Sequence, residues 1–83
     1  MQLDIVNLKD FINGEIMTDG NCFILETQYG YIGLFVHNGV TYKLPKVYIN
    51  PRINYVFDRL KVIAKKTFGI QLTNYQKIHT YVK

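Results

Sequence analysis

The sequence predicts an α+β fold in which a three-stranded antiparallel β-meander, about residues 22–44, packs against one amphipathic helix, about residues 51–67, with short terminal elements. Two observations support this prediction: strand-like runs separated by turn signals, and an apolar repeat of three and four residues that is typical of a helix. A chain of 83 residues that is 48% apolar is expected to form one domain, residues 1–83, around a small core.

The meander is predicted from its turns and from its content of β-branched and aromatic residues. Asn38-Gly39 is the strongest short hairpin signal, because a type I′ turn requires positive φ at both central residues. Tyr29-Gly30 is a weaker turn signal of the same kind. These turns separate three strands, at about 22–28, 31–37 and 40–44.

The register of the strands decides which side chains share a face. Two-residue turns at both positions place Cys22 opposite His37 and Phe35 opposite Tyr42. The first face is then almost wholly apolar and is expected to seat the helix; it holds Phe23, Leu25, Ile32, Leu34 and Val36. The second face is mixed and aromatic; it holds Cys22, Ile24, Glu26, Gln28, Tyr31, Phe35, His37, Tyr42 and Leu44.

The second face allows two interpretations. If it is exposed, Tyr31, Phe35 and Tyr42 form an aromatic row that binds a partner, as exposed aromatic patches on small proteins commonly do. If the terminal segments cover it, the same side chains form a second small core. The sequence leaves both interpretations open.

The helix is predicted from signals at both ends and from its apolar repeat. Asn50 is expected to cap it, Pro51 to occupy its first turn and Gly69 to end it. Leu34 and Leu60 are each expected to be buried against the other's element, Leu34 against the helix and Leu60 against the sheet. The repeat consists of Ile53, Val56, Phe57, Leu60, Ile63, Ala64 and Thr67.

The opposite flank of the helix presents a second candidate binding surface. Three basic residues and one aromatic residue on this flank are candidate partner contacts: Arg52, Tyr55, Arg59 and Lys66. Val62 lies between the last two, and the five are spaced three or four apart, so they form one continuous stripe. Such a stripe suits either a protein partner, with Tyr and Arg as anchors, or a nucleic-acid backbone, with Tyr55 stacking on a base.

The termini carry weaker signals. Residues 2–6 are expected to form a strand, residues 7–14 a short helix, and residues 18–20 a turn. Residues 73–82 fit either a helix or a strand.

Charge is divided along the chain. Residues 1–42 hold five carboxylates and one lysine, a net charge of −4, whereas residues 43–83 hold nine Lys or Arg and one carboxylate, a net charge of +8. This asymmetry indicates a basic surface that seeks an anionic partner, although solvated surface lysines are also common.

Catalytic and metal chemistry find little support. Cys22 opposite His37 is the one pair that resembles a catalytic arrangement, and no third orienting group accompanies it. We expect no catalytic residue, no metal site, no cofactor and no phosphate-binding loop.

Two DNA-binding families share features with the chain. Residues 63–83 resemble a helix-turn-helix, with an alanine, a glycine turn and a possible second helix, which would imply DNA binding. Ala64 and Gly69 are five residues apart, however, whereas the motif usually has four. The predicted βββα order is similar to sheet-reading DNA modules of the AP2 type, but residues 10–42 contain no Lys or Arg to face DNA. We assign the chain to neither family.

Together these features suggest a small non-enzymatic binding or regulatory protein that acts through protein–protein interaction. The expected partner is a host protein or a second copy of the chain, and a homodimer is left open. A DNA-binding regulator that uses the basic C-terminal half is the alternative.

The single cysteine and the absence of a 20-residue apolar run or a signal-like start favour the cytoplasm and no membrane span. Abundant residues with AT-rich codons suggest a low-GC bacterium, or one of its phages or mobile elements.

Overall fold

The computed structural model describes residues 3–7 and 22–79, and these form an α+β fold with one helix on a mixed, open sheet of five strands. The sheet order is β1-β4-β3-β2-β5. All neighbouring strands are antiparallel except β2 and β5, which are parallel. The elements are β1 Asp4–Val6, β2 Cys22–Thr27, β3 Gly30–His37, β4 Val40–Lys43, a short 3₁₀ helix Lys46–Tyr48, α1 Ile53–Phe68 and β5 Gln76–His79.

The predicted meander forms the middle of this larger sheet. The expected strand at residues 2–6 is β1, which pairs with β4 at one edge. The tail, which fitted either a helix or a strand, contributes β5 at the other edge, so the second helix of the helix-turn-helix resemblance is wrong. The short helix expected at residues 7–14 lies almost wholly outside the described residues, as does the turn expected at residues 18–20.

The first hairpin departs from the predicted register. Its turn lies at Gln28-Tyr29, so Thr27 pairs with Gly30 and Cys22 lies opposite Phe35. The hydroxyl of Thr27 donates a hydrogen bond to the Gly30 carbonyl at 2.7 Å and accepts one from the Tyr29 N–H at 3.1 Å. The predicted pairing of Cys22 with His37 is therefore wrong. The observed register differs from the predicted one by two residues. Because side chains alternate between the two faces with a period of two residues, each side chain keeps its predicted face.

Gly30 has a different role from the predicted one. A Cβ on Gly30 would lie 2.9 Å from the carbonyl carbon and oxygen of Asn50, and its φ is +126°. Asn50 bridges to the strand here, because its carbonyl accepts the Tyr31 N–H at 2.8 Å. The glycine permits this close backbone approach rather than forming the centre of the turn.

The second hairpin has the predicted register. Asn38 and Gly39 both have positive φ, 53° and 77°, as a type I′ turn requires. His37 pairs with Val40, and Phe35 pairs with Tyr42.

The helix begins at Ile53, two residues after its predicted start at about residue 51, and it ends before Gly69, as predicted. Arg52 occupies the N-cap position, so Pro51 lies outside the helix. Asn50 still satisfies a backbone group, because its Oδ1 accepts the Arg52 N–H at 2.8 Å. Gly69 adopts the left-handed conformation, with φ of 71°, and its N–H bonds to the Lys65 carbonyl at 2.9 Å.

The helix packs on the second face of the sheet, so the prediction that it seats on the first face is wrong. Leu60 lies directly over Gly33, where an added Cβ would stand 2.7 Å from the Leu60 Cγ. Because Gly33 has no side chain, β3 leaves a gap on this face that Leu60 fills. The resulting core is made of Cys22, Ile24, Phe35, Leu44, Val56, Leu60, Ile63, Ala64 and Leu72.

The first face forms a separate apolar cluster. Phe23, Leu25 and Leu34 are buried there, and partly buried neighbours from the same sheet surround them: Val6, Ile32, Val36 and Ile78. Leu60 is buried against β3, as predicted, but Leu34 lies on the other face of the sheet, so the prediction that Leu34 packs against the helix is wrong.

Candidate functional site: the outer face of the helix

The aromatic row predicted for partner binding lies on the helix-covered face. Phe35 has 0% exposure, and its ring stacks on that of Tyr42 with the ring centres 5.4 Å apart. Phe68, from the last turn of α1, contacts both rings, at 5.9 Å from Phe35 and 4.8 Å from Tyr42. In this fold Phe35 is inaccessible to a partner, and Tyr42 is half-buried in the same aromatic cluster.

Tyr31, the third member of that row, belongs to a polar cluster that joins β5 to the sheet. Its hydroxyl donates to the Glu26 Oε2 at 3.4 Å, and the Lys77 Nζ lies 3.3 Å from the same oxygen. The Lys77 ammonium also lies 5.5 Å from the centre of the Tyr31 ring. The Glu26 carboxylate, through its hydrogen bond and its charge, raises the pKa of Lys77. Because β5 was ambiguous in the sequence, no local pattern indicated this cluster.

Cys22 lacks the surroundings of a reactive cysteine. Its side chain is 2% exposed, and burial raises the pKa of the thiol to about 12. A thiol with this pKa is protonated at neutral pH, whereas the nucleophile is the thiolate. The His37 ring, its predicted partner, packs instead against the Phe68 ring at 4.8 Å.

The same described residues contain neither a cluster of metal ligands nor a membrane-spanning helix. Within residues 3–7 and 22–79, no group of three or more His, Cys, Asp or Glu side chains is placed where it could hold a metal ion. In the part of the chain that the structure describes, no helix combines the length and apolar character needed to cross a bilayer.

The basic flank of the helix faces solvent. We call Arg52, Tyr55, Arg59, Val62 and Lys66 the outer stripe. Tyr55 is 41% exposed and Val62 is 46% exposed, while Arg52 and Lys66 are exposed and Arg59 is half-buried. The inner face of the same helix buries Val56, Leu60, Ile63 and Ala64. The spacing of three and four residues thus separates the core side from the outer stripe, as the sequence predicted.

The outer face of α1 and its N-cap carry a strong positive charge. Five cations and one carboxylate lie here, a net charge of +4; they are Arg52, Arg59, Lys61, Lys65, Lys66 and Asp58. Lys61 pairs with Asp58 at 3.3 Å and lies over the Phe57 ring at 4.7 Å. For the other four cations, the described residues provide no carboxylate within ion-pairing distance. Lys65 lies outside the outer stripe and adds to this face a charge that the sequence pattern did not single out.

The positions of Lys65 and Lys66 also have a structural reason. Both lie in the last turn of α1, where the helix dipole favours positive charge. Arg52 lies at the opposite end, where the dipole disfavours positive charge, and Arg59 lies mid-helix. The dipole therefore accounts for the two lysines and leaves the two arginines without that explanation.

Comparison with known proteins gave no relatives: no protein-family model matches the chain, and no significant match was found among curated proteins or solved structures.

Proposed function

We propose that the chain is a small non-enzymatic binding protein, with a regulatory role, that acts through protein–protein interaction at the outer stripe. The observation that supports this is the exposure of Tyr55 and Val62 among cations that lack carboxylate partners in the described residues. Tyr and Arg are the residue types that most often dominate protein interfaces. Val62 adds apolar area that a phosphate backbone would not use.

The burial of Phe35 narrows the proposed contact region. Of the seven residues predicted to bind a partner, Arg52, Tyr55, Arg59 and Lys66 lie on the exposed flank of α1. Tyr31 and Tyr42 are half-buried beneath or beside the helix, and we propose for them a role in holding the fold. The proposed interface is therefore confined to the helix residues of the predicted set.

We propose the cellular compartment and the source of the protein from its amino-acid composition. One cysteine, buried and protonated, is compatible with a reducing cytoplasm, and the abundance of residues with AT-rich codons favours a low-GC bacterium or one of its phages or mobile elements. A host protein is then the preferred partner.

The test is capture from a host lysate with matched variants. Tyr55→Ala/Val62→Ser should abolish capture, while Asn54→Ala/Thr67→Ala, which alters exposed helix positions outside the stripe, should retain it. Circular dichroism should show the same helix content for both variants. Capture that survives nuclease and depends on the outer stripe supports the proposal; capture that is equal for both variants contradicts it.

DNA binding is the second candidate, favoured by the four cations without carboxylate partners. If Arg52, Arg59, Lys65 and Lys66 each neutralised a phosphate, the logarithm of the binding constant should fall against the logarithm of salt with a slope of about −3 to −4. Fluorescence anisotropy with a labelled duplex measures this slope. A protein complex anchored by Tyr55 and Val62 should depend far less on salt.

A further inference from the structure

We infer that the outer stripe binds an acidic amphipathic helix of a partner protein. This inference rests on the proposed function and specifies the shape and charge of the partner. The stripe runs along nearly the whole of α1, and from Arg52 to Lys66 it extends about 21 Å at the rise of an α-helix. An elongated partner element lying along α1 would use its full length.

The spacing of the two apolar side chains favours a helix. Tyr55 and Val62 are seven residues apart, which is one heptad, so they lie on the same side of α1 about 10 Å apart along its axis. A second helix packed along α1 presents its own apolar side chains at the same heptad interval. A strand repeats its side chains on one face about every 7 Å, so it does not match this interval.

The charges specify an acidic partner. Arg59 lies between Tyr55 and Val62, and Arg52 and Lys66 lie at the two ends, so each apolar side chain has a cation on both sides. Carboxylates flanking the apolar residues of the partner would pair with these cations at the rim of the contact. Charge complementarity of this kind aligns two elements and increases their rate of association.

The same charges argue against a second copy of the chain in this position. A two-fold contact places the same patch on both sides. With the stripes antiparallel, the central Arg59 would face Arg59 of the other copy, and Arg52 would face Lys66 of the other copy. Like charges brought together in this way oppose association. The homodimer left open by the sequence is therefore not the occupant that this surface favours.

The test uses synthetic peptides with the full-length protein. The acidic peptide has about 21 residues, leucines one heptad apart and flanking glutamates, and the control peptide has the same composition in scrambled order. The acidic peptide should bind measurably in isothermal titration calorimetry, and the scrambled peptide at least tenfold more weakly. Tyr55→Ala/Val62→Ser should weaken binding of the acidic peptide about 30-fold or more, whereas Asn54→Ala/Thr67→Ala should leave its affinity unchanged.

Charge reversal tests the alignment. Arg59→Glu should weaken binding of the acidic peptide about tenfold or more. Replacing the central glutamates of the peptide by lysine should restore its binding to this variant. Equal binding of the scrambled and helical peptides, or no binding of the acidic peptide at about 1 mM, would overturn the inference. So would a DNA duplex that binds at the stripe more tightly than the peptide.

The two proposals fail in different ways. If lysate capture depends on Tyr55 and Val62 but the acidic peptide does not bind, the partner class is wrong and the interaction surface stands. If lysate capture is unaffected by changes in the outer stripe, the proposed function itself is wrong.

Discussion

Two glycines in β3 show how single residues determine this fold. Both Gly30 and Gly33 occupy positions where a Cβ would meet another part of the chain, the Asn50 carbonyl in one case and Leu60 in the other. In the sequence, Gly30 next to Tyr29 indicated a turn, and Gly33 lay inside a predicted strand with no role assigned to it. Their common function is to let backbone or side chains approach the sheet closely.

Gly33→Ala should therefore destabilise the protein, although alanine is normally the better residue in a strand. Its Cβ would stand 2.7 Å from the Leu60 Cδ1 and Cγ, and overpacking of this kind costs roughly 1–3 kcal/mol. Urea unfolding measures the change. In a Leu60→Ala background the cost of Gly33→Ala should largely disappear, because the clashing atoms are gone. An equal cost in both backgrounds would show that the contact with Leu60 is not responsible.

Cys22 should make stability depend on pH in the alkaline range. Its pKa is raised from 9.0 to about 12 by burial, so above pH 9 the unfolded chain loses a proton that the folded chain keeps. The contribution of the protonated thiol is fully present below pH 9 and is lost as pH rises toward 12, at up to about 1.4 kcal/mol per pH unit.

Cys22→Ala provides the comparison for this effect, because the tyrosines titrate in both proteins. The difference in unfolding free energy between wild type and variant, measured by urea at pH 8 and at pH 10.5, should shift against the wild type as pH rises. Parallel pH profiles would show that the thiol is not the group responsible.

At the scale of elements, the choice of sheet face by α1 is the main departure from the sequence prediction. Both faces of the sheet bear buried apolar residues, so hydrophobic pattern alone does not select one. The helix lies on the face that combines the gap at Gly33 with the aromatic rings of Phe35 and Tyr42. Phe68 completes this packing at the end of the helix. Shape, rather than apolar content, distinguishes the two faces.

Tyr42→Ala tests this packing. The ring of Tyr42 contacts those of Phe35 and Phe68, so its removal should leave a gap at the end of the helix and cost about 2 kcal/mol or more. Tyr29→Ala is the matched control, because Tyr29 is 77% exposed and its loss should change stability by less than about 0.5 kcal/mol. Thermal unfolding compares the two. Similar small shifts for both would indicate that Tyr42 faces solvent and would return it to the candidate binding residues.

At the scale of the whole molecule, local patterns were predicted and contacts between distant segments were not. The middle strands, the Asn38-Gly39 turn, α1 and the outer stripe follow from short-range periodicity and turn chemistry. The position of β5 beside β2 depends on a pairing across most of the sequence, which no local pattern encodes. The polar cluster of Glu26, Tyr31 and Lys77 was missed for the same reason.

The sheet order gives β5 a protective role that can be tested. It covers an edge of β2, a strand whose first four residues are buried, and without β5 that edge would present unpaired backbone groups beside apolar side chains. Such edges recruit other strands. Ending the chain after Tyr75 keeps the ring contact between Tyr75 and Phe57 and removes β5. At the same protein concentration, the shortened protein should form more self-associated species than the full-length protein does. Size-exclusion chromatography with light scattering, over a range of concentrations, would measure this.

Lys77→Ala in the full-length chain is the control, because it removes the ion pair with Glu26 but keeps the backbone of β5 on the edge of β2. This variant should keep the association state of the full-length protein, since the strand itself covers the edge. If Lys77→Ala associated as strongly as the shortened chain, the ion pair would be what holds β5 in place. If the shortened chain kept both its helix content and the association state of the full-length protein, the edge of β2 would not need β5, and its protective role would be wrong.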